Sequence, residues 1–156
     1  MRYATPVRAC MVLLLLLVPS LPAAAQETGV AATDAAWVKA IKANDLDGIM
    51  ACYAPDAVAW LPAEPEAIGQ AAIRASYENL MKGNTVKDVV LEPTKVKTTG
   101  DMSTGWGHFT MTLVPKAGGE PMTMKGRYVA AAEKRGGRWV YVVDHASAEP
   151  PAQPAK

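Results

Sequence analysis

The chain has 156 residues, 16 of them lysine or arginine and 15 aspartate or glutamate, with half the residues apolar and a fifth charged. That is one domain's length with enough apolar content to bury a core. A formal charge of +1 supplies no basic excess for phosphate contacts, which argues against a nucleic-acid binder, and two cysteines, Cys10 and Cys52, cannot build a disulfide scaffold.

At the N-terminus, Arg2 and Arg8 precede the apolar run 11–18, which is followed by Pro19, Pro22 and the alanines 23–25. A positive head, a short apolar run and a small-residue end make up a secretory signal peptide, residues 1–25, with cleavage near Ala25. The apolar run is too short to stay behind as a membrane anchor. The expected product is periplasmic or secreted. Cleavage removes Cys10, two basic residues and no acidic one. Cys52 is then the single cysteine, and no neighbouring His or cation activates it, so it reads as a small buried hydrophobe.

One domain is expected over 33–148, followed by a proline-rich, disordered tail at 149–156. Thr33 or Asp34 caps a first helix that places Trp37, Ala40 and Ile41 on one face. Asn44-Asp45 breaks it and caps a second helix bearing Leu46, Ile49, Met50 and Tyr53, which Ala54-Pro55-Asp56 stops. Residues 57–61 form a short strand ended by Pro62, and 63–66 a loop. Gly69 opens a third helix with Ile73, Tyr77, Leu80 and Met81 along one stripe, closed by Gly83-Asn84.

The period then changes to two. Residues 86–98 read as a strand in which Pro93 marks an edge or a bulge. After the turn at Gly100-Asp101, the strand 102–114 carries Phe109, Met111 and Leu113 on one face and Trp106, His108, Thr110 and Thr112 on the other. Across a hairpin loop at 116–120, the strand 122–133 sets Met122, Met124, Tyr128 and Ala130 on one side. The last strand, 139–143, is apolar on both faces and needs cover on both, for which a homodimer is the simplest supply. Helices first and an antiparallel meander after them make an α+β domain, with helices packed on one face of the sheet.

Several short motifs follow one another in order: Trp37-x-x-Ala40, Asn44-Asp45-Leu46, Tyr53-Ala-Pro-Asp56-Ala-Val58, Gly69-x-x-Ala72-Ile73, Gly126-Arg-Tyr128, and Gly137-Arg-Trp139 with Asp144. In this the chain resembles the NTF2-like superfamily, in its SnoaL-like and DUF4440-type branch, over about residues 33–148. The resemblance implies a cone: three N-terminal helices packed on a curved, mostly antiparallel sheet, a pocket between them, and often a homodimer through the sheet's outer face. It implies no single activity, since members include isomerases, cyclases, dehydratases and proteins without chemistry.

Nucleophile-elbow, phosphate-loop, zinc-helix and dinucleotide motifs are missing, so no cofactor is implied. His108 and His145, with Asp56 or Asp144, lack the spacing of metal ligands, and no metal is expected. Asp144 is the candidate catalytic residue. It follows five apolar strand residues, and burial in a pocket would raise its pKa and make it a proton acceptor near neutral pH. The alternative is a solvated rim carboxylate where the strand ends. His145 falls on the opposite face unless a bulge intervenes. Tyr53, Trp60, Tyr77, His108 and Tyr128 are the candidate pocket walls, with Trp37 and Trp139 as core and Met122 and Met124 as filler.

Two functions fit these residues. The preferred one is an exported accessory protein that holds a small hydrophobic ligand in an internal apolar pocket, without chemistry. The other is a cofactor-free isomerase or lyase resembling ketosteroid isomerase or the polyketide cyclases, in which a pocket carboxylate moves a proton beside a carbonyl. Enzymes of that kind place the base near the end of the first strand, where this chain has Leu61-Pro62, with Glu64 two residues on.

Overall fold

A computed structural model describes residues 28–149, so the expected signal peptide and nearly all of the tail lie outside the described residues. The elements run α1 (Val30–Lys42), α2 (Leu46–Met50), β1 (Tyr53–Trp60), β2 (Ala67–Ile68), α3 (Gly69–Gly83), β3 (Asn84–Thr99), β4 (Met102–Pro115), β5 (Met122–Arg135) and β6 (Arg138–Ala148). The six strands form one curved, mixed sheet in the order β2-β1-β6-β5-β4-β3. Only β1 and β6 run parallel; every other neighbouring pair is antiparallel. The helices pack on the concave face of an α+β domain, but not as one block, because β1 and β2 lie between α2 and α3. No helix among the described residues is long and apolar enough to cross a membrane.

Helix α1 begins earlier than its sequence suggests. Gly29, at φ 69°, is the cap, and a Cβ there would lie 2.4 Å from Ser103 Oγ, so the helix start is pinned against the β3–β4 hairpin. Thr33 and Asp34 are therefore not caps but buried residues inside the helix. Packing against the sheet outweighed the local capping preference. Helix α2 is capped as expected, with Asp45 accepting from the Gly48 amide at 3.0 Å. It ends at Met50, and Tyr53 belongs to β1. The Cys52 carbonyl accepts from the Tyr141 amide at 2.7 Å, and Tyr53 pairs with Tyr141, so the parallel ladder captures the segment that local spacing assigned to a helix. Pro55 is accommodated because the β1–β6 register shifts between Tyr53 and Val58.

Both meanings of Pro93 apply together. β3 is an edge strand, and its register against β4 shifts between Pro93 and Lys95. The core gathers Ile41, Ile49, Tyr53, Ile73, Tyr77, Val86 and Val89 with the inward residues of β4 to β6, including Phe109, Met111, Tyr128 and Ala130. Met122, expected to share that side, is 53% exposed at the open end of β5.

Candidate functional site

Between α1, α3 and the concave face of β3 to β6 lies a cavity of about 120 Å³. That is enough for several waters or a molecule about the size of benzene, which a dry cavity of about 150 Å³ binds. Its walls are mainly apolar: Leu80 from α3, Leu91 from β3, Phe109 and Met111 from β4, Met124 from β5 and Ala146 from β6. Asp144 sits among them as the one carboxyl of the cavity interior, while Glu64, from the loop after β1, is the other acidic residue in its wall.

A bulge puts Asp144 there. Tyr141 pairs with Ala132 and Val143 with Ala131, which leaves Val142 as an extra residue in β6. Without it, Tyr141 and Asp144 would alternate onto opposite faces. With it, both point inward, and His145 turns outward to lie edge-on against Trp60, with ring centroids 6.2 Å apart. Asp144 and His145 are on opposite faces and form no dyad.

The polar partners of Asp144 come from three other elements. Tyr53 donates to Asp144 Oδ2 at 2.5 Å, the Tyr53 and Tyr77 hydroxyls are 2.8 Å apart, and Trp37 Nε1 donates to the Tyr77 oxygen at 2.9 Å. An indole N–H can only donate. With the Tyr53 proton directed at Asp144, the Tyr77 proton must go to Tyr53. The chain thus runs one way, from Trp37 through Tyr77 and Tyr53 to the carboxylate. Burial raises the Asp144 pKa, and this outweighs the lowering by the Tyr53 hydrogen bond and by His145. Burial also pushes the Tyr53 and Tyr77 phenols well up, with the charge of Asp144 adding to it. Oδ1 of Asp144 accepts no hydrogen bond among the described residues, and Asp144 lines the cavity.

A second carboxyl, less exposed than Asp144, escaped sequence reasoning. Asp34, 8% exposed on α1, accepts from Tyr141 at 2.5 Å and from Tyr128 at 3.5 Å. The signal was present: Asp34 lies three residues before Trp37 and seven before Ile41, on the stripe that faces the sheet. Every tyrosine of the described chain thus bonds, directly or through Tyr53, to one of two aspartates, the buried Asp34 or the half-buried Asp144. Burial and the nearby Asp34 raise the pKa of both Tyr128 and Tyr141.

The expected walls divide accordingly. Tyr77 and Tyr128 line the cavity, and Tyr53 lies behind it, fully enclosed, holding Asp144. Trp37, read as core, is part of the wall. Two expectations are corrected. His108 is exposed on the outer face, in register with Glu92 and Arg127, because strand alternation with inward Phe109 directs it away. Trp60 is 40% exposed on the same outer face and donates to Glu66 Oε1 at 2.9 Å. Among the described residues, no three His, Cys, Asp or Glu side chains gather where they could hold a metal ion.

Residues 35–142 match the family model of the SnoaL-like domain, and the chain belongs to that family. No curated protein matches it. Among solved structures, a protein from Xanthomonas campestris provisionally described as a calcium/calmodulin dependent protein kinase II association domain superposes with a TM-score of 0.70. It is 25% identical over 79% of this chain and 87% of that one. A ketosteroid isomerase-like protein from Erwinia carotovora atroseptica also gives 0.70, at 22% identity over 78% of this chain and 95% of its own. An NTF-2 like protein of unknown function from Shewanella oneidensis gives 0.58, at 18% identity over 76% and 95%. The last two likenesses are of fold, and the fold is NTF2-like.

Proposed function

We propose that this protein binds a small, largely apolar molecule in the cavity, with the molecule's polar group at Asp144. The observation that carries the reading is the unpartnered Oδ1 of a half-buried carboxyl at the wall of an otherwise apolar chamber. The hydroxyls in and behind the wall support binding over catalysis, because Tyr53, Tyr77, Tyr128, Tyr141 and Ser76 all donate to other protein atoms. An oxyanion hole needs such donors uncommitted. Mass spectrometry of small molecules released from the purified protein tests this. The wild type should release a ligand that Ala130→Phe, which fills the cavity, does not carry. Equal release from both would sink the reading.

Proton transfer by Asp144, as in an isomerase or lyase, is the second reading, favoured by the raised proton affinity of that carboxyl. It stands if turnover of a β,γ-unsaturated ketone is found and disappears in Asp144→Asn.

The same proposal includes export and dimerisation. The order of charge, apolar run and alanines at residues 2–25 supports a cleaved signal peptide and a periplasmic or secreted location. Intact mass of the exported protein should start within two residues of Gln26. A dimer through the outer sheet face is supported by the row Trp106, Val129, His145 and Trp60, adjacent in register across β4, β5, β6 and β1, with both tryptophans and the valine substantially exposed.

A further inference from the structure

We infer that the cavity's ligand class is a protonated amine on a compact apolar body of about one ring, its ammonium held between Asp144 Oδ1 and the surrounding aromatic faces. This rests on the proposed binding role and names what is bound.

Three observations converge on it. The first is the direction of the hydrogen bonds. With Asp144 ionised, the Trp37–Tyr77–Tyr53 chain delivers all its protons toward Oδ2, and the Tyr128 and Tyr141 protons go to Asp34. Ser76, the remaining hydroxyl in the wall, donates to the Ala72 carbonyl at 3.4 Å, so the wall offers Asp144 Oδ1 as an acceptor and the ligand must bring the donor. The second is charge. No lysine or arginine lines the cavity, whereas Asp144 and Glu64 do, and Asp34 stands directly behind the Tyr128 and Tyr141 hydroxyls. An anionic ligand would meet carboxyls and no cation. The third is the rings: Trp37, Tyr77, Phe109, Tyr128 and Tyr141 all contribute to one small chamber. Aromatic faces attract a cation, most strongly where water is excluded. A buried ammonium is tolerated only when paired, and Oδ1 is the available partner. The size follows from the cavity volume of about 120 Å³.

The groups that face Asp144 set the pH behaviour. They are Tyr53 on β1, Tyr77 on α3 and Tyr141 on β6, with Asp34 on α1 and Cys52 beyond the tyrosines, Glu64 in the loop and His145 on the other face. The phenols and the thiol stay neutral over the range in which Asp144 titrates. Burial raises the Asp144 pKa, so its carboxylate is lost while an alkylamine is still fully protonated. Amine affinity must therefore fall as pH falls through the Asp144 transition, by about tenfold per pH unit below it.

The test titrates the purified protein with benzylamine and with its neutral isostere benzyl alcohol, by calorimetry or ligand-observed NMR. Benzylamine should bind at least tenfold more tightly at neutral pH, and its advantage should vanish on acidification. Asp144→Asn should remove that advantage while benzyl alcohol binding persists, which shows that the variant's cavity is intact. Equal affinities for the two probes, or a preference for the alcohol at every pH, would overturn the amine inference and leave the pocket reading standing. Binding of neither probe would overturn both.

Discussion

Asp144 is held by its environment in a way that gives stability a definite pH sign. Its folded pKa is raised, so the proton it carries stabilises the fold. That contribution is complete below the unfolded carboxyl value, about pH 4, and is lost as pH rises through the folded value. Asp144→Asn mimics the protonated form. We expect its urea midpoint to exceed that of the wild type at neutral pH and the two to converge in acid; parallel curves would mean that Asp144 is not desolvated. Tyr53→Phe takes away the donor on Oδ2 and leaves the Tyr77 hydroxyl without its acceptor, which should cost about 1–3 kcal/mol in the same measurement. Cys52, 5% exposed and with its thiol pushed up to about 11 by burial, should resist alkylation in the native state and react promptly in urea. Rapid labelling of the folded protein would contradict that burial.

Among the elements, the β3–β4 pair is held closest where its edge strand bulges. Gly107 faces Pro93, and a Cβ there would stand 2.2 Å from the Glu92 carbonyl oxygen, a backbone atom that cannot yield cheaply. Gly107→Ala should therefore destabilise the fold by about 1–3 kcal/mol, as over-packing does. Gly83, the last residue of α3, has open space at its Cβ position and no positive φ. Gly83→Ala should instead stabilise by about 0.4–1 kcal/mol, by limiting the unfolded chain. Chemical denaturation of the two variants checks both signs at once, and a neutral Gly107→Ala would show that the edge strand is freer than the close approach implies.

For the whole molecule, the concave face is covered by helices, whereas the convex face carries Trp106 and Val129 side by side in register. Val129→Asp would place a charge at the centre of the proposed dimer face. Light scattering at tens of micromolar should give a dimer for the wild type and a monomer for the variant. A wild-type monomer would leave that apolar row to another partner and remove the dimer from the proposal.

Legibility in the sequence followed the range of the forces involved. The period-two strands, the stripe Ile73–Tyr77–Leu80–Met81 of α3 and the Asp45 cap depend on neighbours along the chain, and all were readable there. Asp144 stood out because a carboxylate after an apolar run needs a reason. Its orientation was not readable, since the Val142 bulge that turns it inward exists only through pairing of β6 with β5. The same holds for Tyr53, which local spacing assigns to a helix and the ladder with Tyr141 draws into β1. Asp34 was missed because a residue near a helix start is a plausible cap until the sheet fixes where the helix begins. Periodicity and composition determine which faces are apolar. Only the assembled sheet, with its register shifts, decided that two aspartates and four tyrosines from α1, β1, α3, β5 and β6 meet around one cavity, because contacts between residues up to 107 positions apart carry no local signature.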